Sequence, residues 1–322
     1  LLNGTWKFAF FRRDVDVPEV IGAWDTIPVP SCWQLQGYEN PNYSNINYPY
    51  PCDPPYVPDD NPCGVYEREF TLKKKWGKVY FVLEGVASCA YVYVNGRYVG
   101  FTQGSHLQAE FDITEFAWAG INTIRVKVLK WCCGSYLEDQ DFFRFNGIFR
   151  DVLLYEMEEN DIWDVHFSAV KQQGKYHATV KAAVDGQGDV TFTLCGQQIT
   201  VPAKNGHAAA CFDHLDVLEW NAEKPALYDL YIQFGNTVIR QRVGFKDVKI
   251  QGDVFTLNGQ KLKLRGVNHH DTSPTGGYCL TPDEIERDIL LCKSHNIDTI
   301  RTAHYPPDPL LIELCDEYGI YI

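Results

Sequence analysis

The sequence predicts a multidomain, mainly β protein in which two antiparallel β-sandwiches precede the beginning of a parallel α/β domain. Its 322 residues exceed what one core usually serves, and a hydrophobic content of 45% is enough to fill several cores. Short runs of alternating apolar and polar residues, separated by turns, occupy the chain as far as residue 245. After Lys246 the pattern changes to strands that alternate with capped helices.

The first predicted domain, residues 1–156, is an antiparallel sandwich. Its alternating runs are TWKFAF, VYEREFTL, VYFVLEG, CAYVYVNGRYVG, NTIRVKVLKW and DVLLYEM. The dipeptide Asn95-Gly96 favours the positive φ angles of a two-residue hairpin. Residues 28–63 are dense in Pro, Asn and Tyr, and so long an irregular segment inside a compact domain is typical of a functional loop.

The second predicted domain, residues 157–245, consists of seven further alternating runs. Their spacing is that of a small immunoglobulin-like sandwich. No cluster of polar side chains marks its predicted loops, so we interpret this domain as a spacer.

The third segment, residues 246–322, begins a parallel α/β domain. Thr281 and Asp308 are the predicted N-caps of two helices, each followed by proline, and Glu284 completes a capping box with Thr281. The predicted buried stripe of the first helix consists of Ile285, Ile289 and Cys292. Because two βα units do not cover both faces of a parallel sheet, we expect this domain to be incomplete at Ile322.

Charge and cysteine usage narrow the class of partner. The net charge of −13 disfavours nucleic acids and anionic membranes, and no run approaches the roughly 18 apolar residues of a membrane helix, which leaves a neutral small molecule. Cys89, Cys292 and Cys315 lie in apolar runs, as reduced core thiols of a cytoplasmic protein do. The adjacent Cys132 and Cys133 lack the two-residue spacer of a redox or zinc motif.

Polar residues at strand ends are the first candidates for chemistry in a βα barrel. Residues 268–271, Asn-His-His-Asp, follow the first strand of the third segment, and Arg301 and His304 follow the second. Strict alternation along the strand would place Arg301 and His304 on opposite faces of the sheet. At least one of the two side chains therefore depends on the conformation of the loop after the strand to reach a shared site. A strand-end arginine also needs an anionic partner, which we expect to be a carboxylate from a later strand.

Two loops of the first domain carry further candidates. Glu138, Asp139 and Asp141 stand beside Phe142 and Phe143, which suits a cation site, sugar hydroxyls over an aromatic surface, or an acidic surface loop without function. A second loop, VPDDNPCG, offers the hydroxyl-binding side chains Asp59, Asp60 and Asn61.

Six stretches together resemble the amino-terminal part of the β-galactosidases of glycoside hydrolase family 2, of the large bacterial lactase type. They are LNGTWKFAF, VPSCWQLQGYENPNYSN, YPYPCDPPYVPDDNPCGVYEREF, GSYLEDQDFFRFNGIFRDV, LNGQKLKLRGVNHHD and IRTAHYPPDPLLIELCDEYGIYI. The resemblance covers essentially residues 1–322, and the six motifs occur in the family's order. Asp298 stands where the pattern usually has Asn, which is a mild departure.

This resemblance implies a jelly-roll sugar-binding domain, an immunoglobulin-like domain and the first two βα units of a TIM barrel. It assigns Asn61 to the active site, Asp141 to galactose hydroxyls and a sodium ion, and His304 to the sugar. It makes Arg301 the residue that holds the nucleophile. The run NHHD departs from the more usual NRHE, so no role passes to His269, His270 or Asp271.

Retaining hydrolysis needs two carboxylates, and the resemblance places both glutamates and the magnesium ligands beyond Ile322. The full-length protein is therefore expected to be a cytoplasmic, homo-oligomeric (tetrameric or dimeric) β-galactosidase that binds magnesium and sodium, whereas this chain alone is expected to be inactive. The alternatives are a β-glucuronidase or β-mannosidase of the same family, a non-catalytic carbohydrate-binding module, and a subunit that complements a separate catalytic chain.

Overall fold

The structure, a computed structural model, describes residues 1–45, 48–73 and 77–322. These residues form two compact units. Unit 1 comprises residues 1–156, 270–284 and 302–307, and unit 2 comprises residues 157–269, 285–301 and 308–322.

Unit 1 is built around a β-sandwich. Its strands are β1 (Gly4–Phe11), β2 (Asp25–Val29), β3 (Asn42–Ser44), β4 (Cys63–Leu72), β5 (Val79–Leu83), β6 (Val86–Ala87), β7 (Cys89–Val94), β8 (Arg97–Gln103), β9 (Ala109–Asp112), β10 (Gly120–Leu129), β11 (Phe142–Arg144), β12 (Gly147–Ile148) and β13 (Val152–Glu156). One sheet has the order β2-β1-β4-β10-β7-β8 and another has the order β13-β5-β9. All strand pairs of these two sheets are antiparallel. Phe8, Phe81 and Val126 belong to the fully buried core of this sandwich.

The hairpin predicted at Asn95-Gly96 is confirmed. Asn95 and Gly96 have φ angles of 52° and 78°, and Val94 pairs with Arg97 across the turn. The segment 28–63 is mostly irregular, as predicted, but it contains a 3-10 helix, Trp33–Gln36, and strand β3. Strand β3 pairs with β11. This pairing connects the segment to the loop before β11 that carries Glu138, Asp139 and Asp141, which we call the acidic loop.

Unit 2 contains the second predicted sandwich. Its seven strands are β14 (Asp161–Gln172), β15 (Lys175–Asp185), β16 (Asp189–Leu194), β17 (Gln197–Pro202), β18 (His207–Leu215), β19 (Tyr228–Phe234) and β20 (Thr237–Val243). They form a three-stranded sheet, β14-β15-β18, and a four-stranded sheet, β17-β16-β19-β20. Phe192, Phe212 and Phe245 fill the core between the inward faces, so the immunoglobulin-like prediction is confirmed.

The third segment has the predicted alternation of strands and helices. Its elements are β21 (Val248–Gln251), β22 (Val254–Leu257), β23 (Gln260–Lys261), β24 (Gly266–His269), α1 (Pro282–Ser294), β25 (Thr299–Thr302) and α2 (Pro309–Tyr318). Ahead of α1, the Glu284 amide donates to Thr281 Oγ1 (3.3 Å) and the Thr281 amide donates to Glu284 Oε2 (2.9 Å), which confirms the capping box. Asp308 caps α2 through the Leu310 amide (2.9 Å). Neither α1 nor α2 is long and apolar enough to span a membrane.

Candidate functional site

A cavity of about 140 Å³ lies in unit 1. Its lining includes the polar side chains Ser88, Ser105, His106, Glu138, Gln140, Arg144, Asn146 and His304, together with aromatic side chains that include Trp131, Phe142, Tyr278 and Tyr305. Residues far apart in the sequence thus meet around one space, and they include a sequence-predicted sugar contact, His304.

Arg144 organises the acidic loop on one side of this cavity. Its side chain is 7% exposed, and it donates to the backbone oxygens of Glu138 and Gln140 (3.1 Å each) and to the carboxylate of Asp139. It also donates to Ser44 Oγ (2.9 and 3.1 Å) in β3. One buried guanidinium therefore fixes the backbone of the loop that carries Asp141.

Glu138 anchors the same loop from the other direction. Its carboxylate accepts hydrogen bonds from the backbone amide (2.6 Å) and the hydroxyl (2.7 Å) of Ser105. Both carboxylate oxygens are used, so Glu138 holds the loop in place through charge-assisted hydrogen bonds.

Asp141 stands at the exposed end of this loop, beside aromatic rings. Tyr43 donates its hydroxyl to Asp141 Oδ1, and this hydrogen bond raises the pKa of Tyr43. The rings of Tyr43 and Phe143 lie 5.4 Å apart and are 51% and 47% exposed. A carboxylate next to exposed ring faces is a suitable arrangement for a sugar, because the rings cover its C–H face while the carboxylate accepts from hydroxyls.

His304 follows β25 and borders the cavity together with Tyr305. The ring of His270 meets His304 edge-on at 5.5 Å between centroids, and the ring of His106 stacks on Tyr305 at 4.0 Å. Burial, together with the positive charge of Arg150, lowers the pKa of His106 to about 3, although Asp271 opposes this shift. His106 is therefore a neutral imidazole at physiological pH.

An ion pair supports the backbone beside His304. Arg150 and Asp271 approach to 3.5 Å, and their side chains are 6% and 7% exposed. Arg150 also donates to the backbone oxygens of Pro306 (3.0 Å) and His106 (3.2 Å). Asp271 of the run NHHD, to which the resemblance assigned no role, thus has a structural contact.

Asn61 is buried and bound to the backbone. Its amide donates to the Trp131 oxygen and accepts from the Trp131 amide, both at 2.9 Å. It does not line the cavity around His304, but it fixes Trp131, which does. Its role at a sugar site stays a prediction.

Arg301 and His269 belong to unit 2. Arg301 is exposed, and its Nη1 atom lies 3.5 Å from Asn268 Oδ1. His269 Nε2 lies 3.0 Å from Asp288 Oδ2. The support of a nucleophile by Arg301 stays a prediction.

The described residues do not assemble a complete metal site. Within these ranges no group of three or more His, Cys, Asp or Glu side chains is placed to hold a metal ion. The carboxylate oxygens of Asp141 suit a hard cation such as sodium, but a single carboxylate is only part of a coordination shell.

Sequence reasoning missed Arg144, and it named Glu138 only as a candidate ligand for a cation or sugar, not as a residue that holds the acidic loop. Arg144 had a readable signal, because alternation in β11 places it on the same buried face as Phe142, and a buried arginine requires acceptors. The role of Glu138 had no such signal, since Ser105 lies 33 positions away.

The domains found by comparison are those of a glycoside hydrolase. Residues 1–158 match "Glycosyl hydrolases family 2, sugar binding domain", and residues 248–322 match "Glycosyl hydrolases family 2, TIM barrel domain". The chain belongs to glycosyl hydrolase family 2.

Named relatives are similar along the whole chain. The β-galactosidase of Actinobacillus pleuropneumoniae is 43% identical over 334 residues and that of Staphylococcus xylosus is 39% identical over 333 residues. Each alignment covers 100% of this chain and 33% of the relative, so the chain spans about a third of their length.

Solved structures share the fold. The β-galacturonidase of Eisenbergiella tayi, bound to galacturonate, has a TM-score of 0.78 and 25% identity, covering 98% of this chain and 55% of that one. The β-glucuronidase of Bacteroides uniformis has a TM-score of 0.80 and 24% identity, covering 99% and 41% respectively, and this likeness concerns the fold alone.

Proposed function

We propose that this chain is the sugar-binding, amino-terminal part of a retaining β-galactosidase that hydrolyses terminal β-D-galactosides such as lactose. The carrying observation is the cavity of unit 1, which is lined both by His304 and by the loop held by Arg144. The β-galactosidases that are 37–43% identical along the whole chain support this substrate class.

The charge around the cavity favours a neutral sugar over a uronate. Glu138 lines the cavity, Asp139 and Asp141 lie on the same loop, and the donors of the buried Arg144 are directed at that loop and at Ser44 Oγ. The whole chain carries a net charge of −13. A glucuronide or galacturonide adds another carboxylate, which these charges repel. The neutral galactoside is therefore preferred to the uronides.

Each site residue has a role in this proposal. Asp141 accepts from galactose hydroxyls, with the ring of Phe143 beside it, and His304 contacts the sugar. Asn61 acts through Trp131, and Arg301 orients the nucleophile of the complete barrel. Sodium at Asp141 and magnesium elsewhere in the full-length enzyme belong to the proposal by resemblance. So do the domain boundaries 1–156, 157–245 and 246–322, a cytoplasmic location and a homo-oligomeric assembly.

Ligand binding by the chain itself tests this proposal. Isothermal titration is expected to show saturable binding of galactose, with weaker binding of glucuronate and mannose. Asp141→Asn is expected to weaken galactose binding at least about tenfold, because a charged acceptor is lost. Asp216→Asn, in an exposed loop of unit 2, is the matched control and is expected to leave binding unchanged.

Two results would contradict the proposal. Tighter binding of glucuronate than of galactose would indicate a uronidase, and equal effects of the two substitutions would remove Asp141 from the site. The chain alone is expected to show no turnover of an aryl β-galactoside, since no residue of the chain corresponds to either family glutamate. Turnover would overturn that part of the proposal.

A further inference from the structure

Two cysteines far apart in the sequence meet in the first sandwich. Cys89 begins β7, and Cys132 follows β10, 43 positions further along the chain. The side chain of Cys132 packs against the apolar cluster of Cys63, Cys89 and Leu129, and its Sγ atom lies 3.9 Å from the Ser88 backbone oxygen and 3.8 Å from Ser135 Oγ. The sequence drew attention to the neighbouring Cys133, whereas the structure gives Cys132 a different partner.

The pair is accessible from one side. A pocket of about 550 Å³ in unit 1 is lined by Cys89, Cys132 and Cys133, together with Asn61 and Trp131. Cys132 is half-buried and Cys89 is buried. A small reagent therefore reaches Cys132 first, and Cys89 stands behind it.

The surroundings of the two thiols change their pKa values in opposite directions. The neighbouring Cys89 thiol, the Ser135 hydroxyl and the Ser135 and Gly134 amides lower the pKa of Cys132 to about 7, against the effect of its own burial. The neighbouring Cys132 thiol and burial raise the pKa of Cys89. The thiolate therefore forms more readily at the half-buried Cys132 than at the buried Cys89.

We propose that Cys132 and Cys89 form a thiol-modification site, in which Cys132 is the nucleophile toward peroxides and soft electrophiles and Cys89 is the resolving thiol. The Cys132 thiolate attacks one oxygen of hydrogen peroxide, so that an S–O bond forms, the O–O bond breaks and hydroxide leaves and takes up a proton. Cys89 sulfur then attacks the sulfenic sulfur and gives up its proton. The S–S bond forms, the S–O bond breaks and water leaves. Two thiols lose two electrons, and one peroxide becomes two waters.

Selective alkylation of the 322-residue chain tests the nucleophile. Iodoacetamide labelling followed by tandem mass spectrometry is expected to modify Cys132 about five- to tenfold faster at pH 7 than the exposed Cys52 and Cys211. The labelling rate of Cys132 is expected to reach half its maximum near pH 7. Equal or slower labelling of Cys132 would overturn the assignment.

Peroxide treatment tests the resolving thiol. One equivalent of hydrogen peroxide is expected to give a peptide linked through Cys89 and Cys132 that dithiothreitol separates. In Cys89→Ser, the sulfenic acid on Cys132 is expected to persist and to be trapped by dimedone. Cys133→Ser is the matched control, and it is expected to form the same linked peptide. Linkage of Cys132 to any other cysteine, or no linkage in the unsubstituted chain, would overturn the role of Cys89.

Discussion

The two β-sandwiches of this chain have similar cores but different connections. In unit 2, short turns join all but one pair of successive sandwich strands, as between β16 and β17 or between β19 and β20, and the exception is the segment between Leu215 and Tyr228. In unit 1, the long segments that follow β2 and β10, which include the short strands β3, β11 and β12, carry buried polar side chains such as Gln34, Asn146 and Arg144. Both sandwiches thus bury a similar apolar core, but in unit 1 the loops are also held by buried polar side chains.

This difference teaches where function is built in such a fold. Strand alternation is satisfied equally in both sandwiches, so strand content does not distinguish a binding domain from a spacer. The distinction comes from loops that keep their shape through buried hydrogen bonds, such as the mutual pair of Gln34 and Asn146 (2.9 Å each way). Substitutions in these loops are therefore expected to cost more than matching substitutions in unit 2.

The largest expected effect is that of Arg144→Ala. Removal of this buried guanidinium leaves Asp139 and two backbone oxygens without their donor, and it is expected to lower the free energy of unfolding of unit 1 by about 3–5 kcal/mol. Arg240→Ala in unit 2 is the control. Its ion pair with Asp229 is exposed, and its loss is expected to leave the free energy of unfolding of unit 2 nearly unchanged. Urea unfolding is followed by hydrogen exchange, with amides of β10 reporting on unit 1 and amides of β15 reporting on unit 2. Equal losses of stability in the two variants would contradict the difference between the two sandwiches.

The next largest expected effect is that of pH on the stability of unit 1. The folded pKa of His106 is about 3 and its ordinary value is 6.5, so the unfolded chain binds the proton more readily and stability falls as the pH falls from 6.5 toward 3. At pH 4 this single group is expected to cost unit 1 about 3 kcal/mol relative to pH 7. His106→Phe keeps a ring against Tyr305 and removes the proton. The same pH dependence of β10 exchange in this variant would contradict the assignment.

A smaller effect is expected for Glu138→Gln. The amide keeps one acceptor but loses the charge that strengthens the two hydrogen bonds from Ser105. The expected cost is about 1.5–3 kcal/mol, which corresponds to faster exchange of the Ser105 amide by about ten- to a hundredfold. Asp216→Asn controls for loss of surface charge and is expected to leave this amide unchanged. Unaltered exchange in Glu138→Gln would mean that the loop does not depend on Glu138.

Local patterns predicted the scaffold well. Alternation gave the strands of both sandwiches, Asn95-Gly96 gave a hairpin, and Thr281 with Asp308 gave the helix starts, because each of these signals acts within a few residues. The cavity depends on contacts between distant positions, such as Glu138 with Ser105. Contacts between positions so far apart leave no pattern in the sequence around either residue. The candidate site residues therefore came from the resemblance to family 2.

Mapping a galactose titration by NMR on the labelled 322-residue chain tests the central claim most directly. The account predicts that amide resonances of residues 138–146 and 302–307 shift together and saturate with one affinity, while those of β14 to β20 stay in place. Shifts confined to the second sandwich, or no saturable shift at the loop around Asp141, would contradict it.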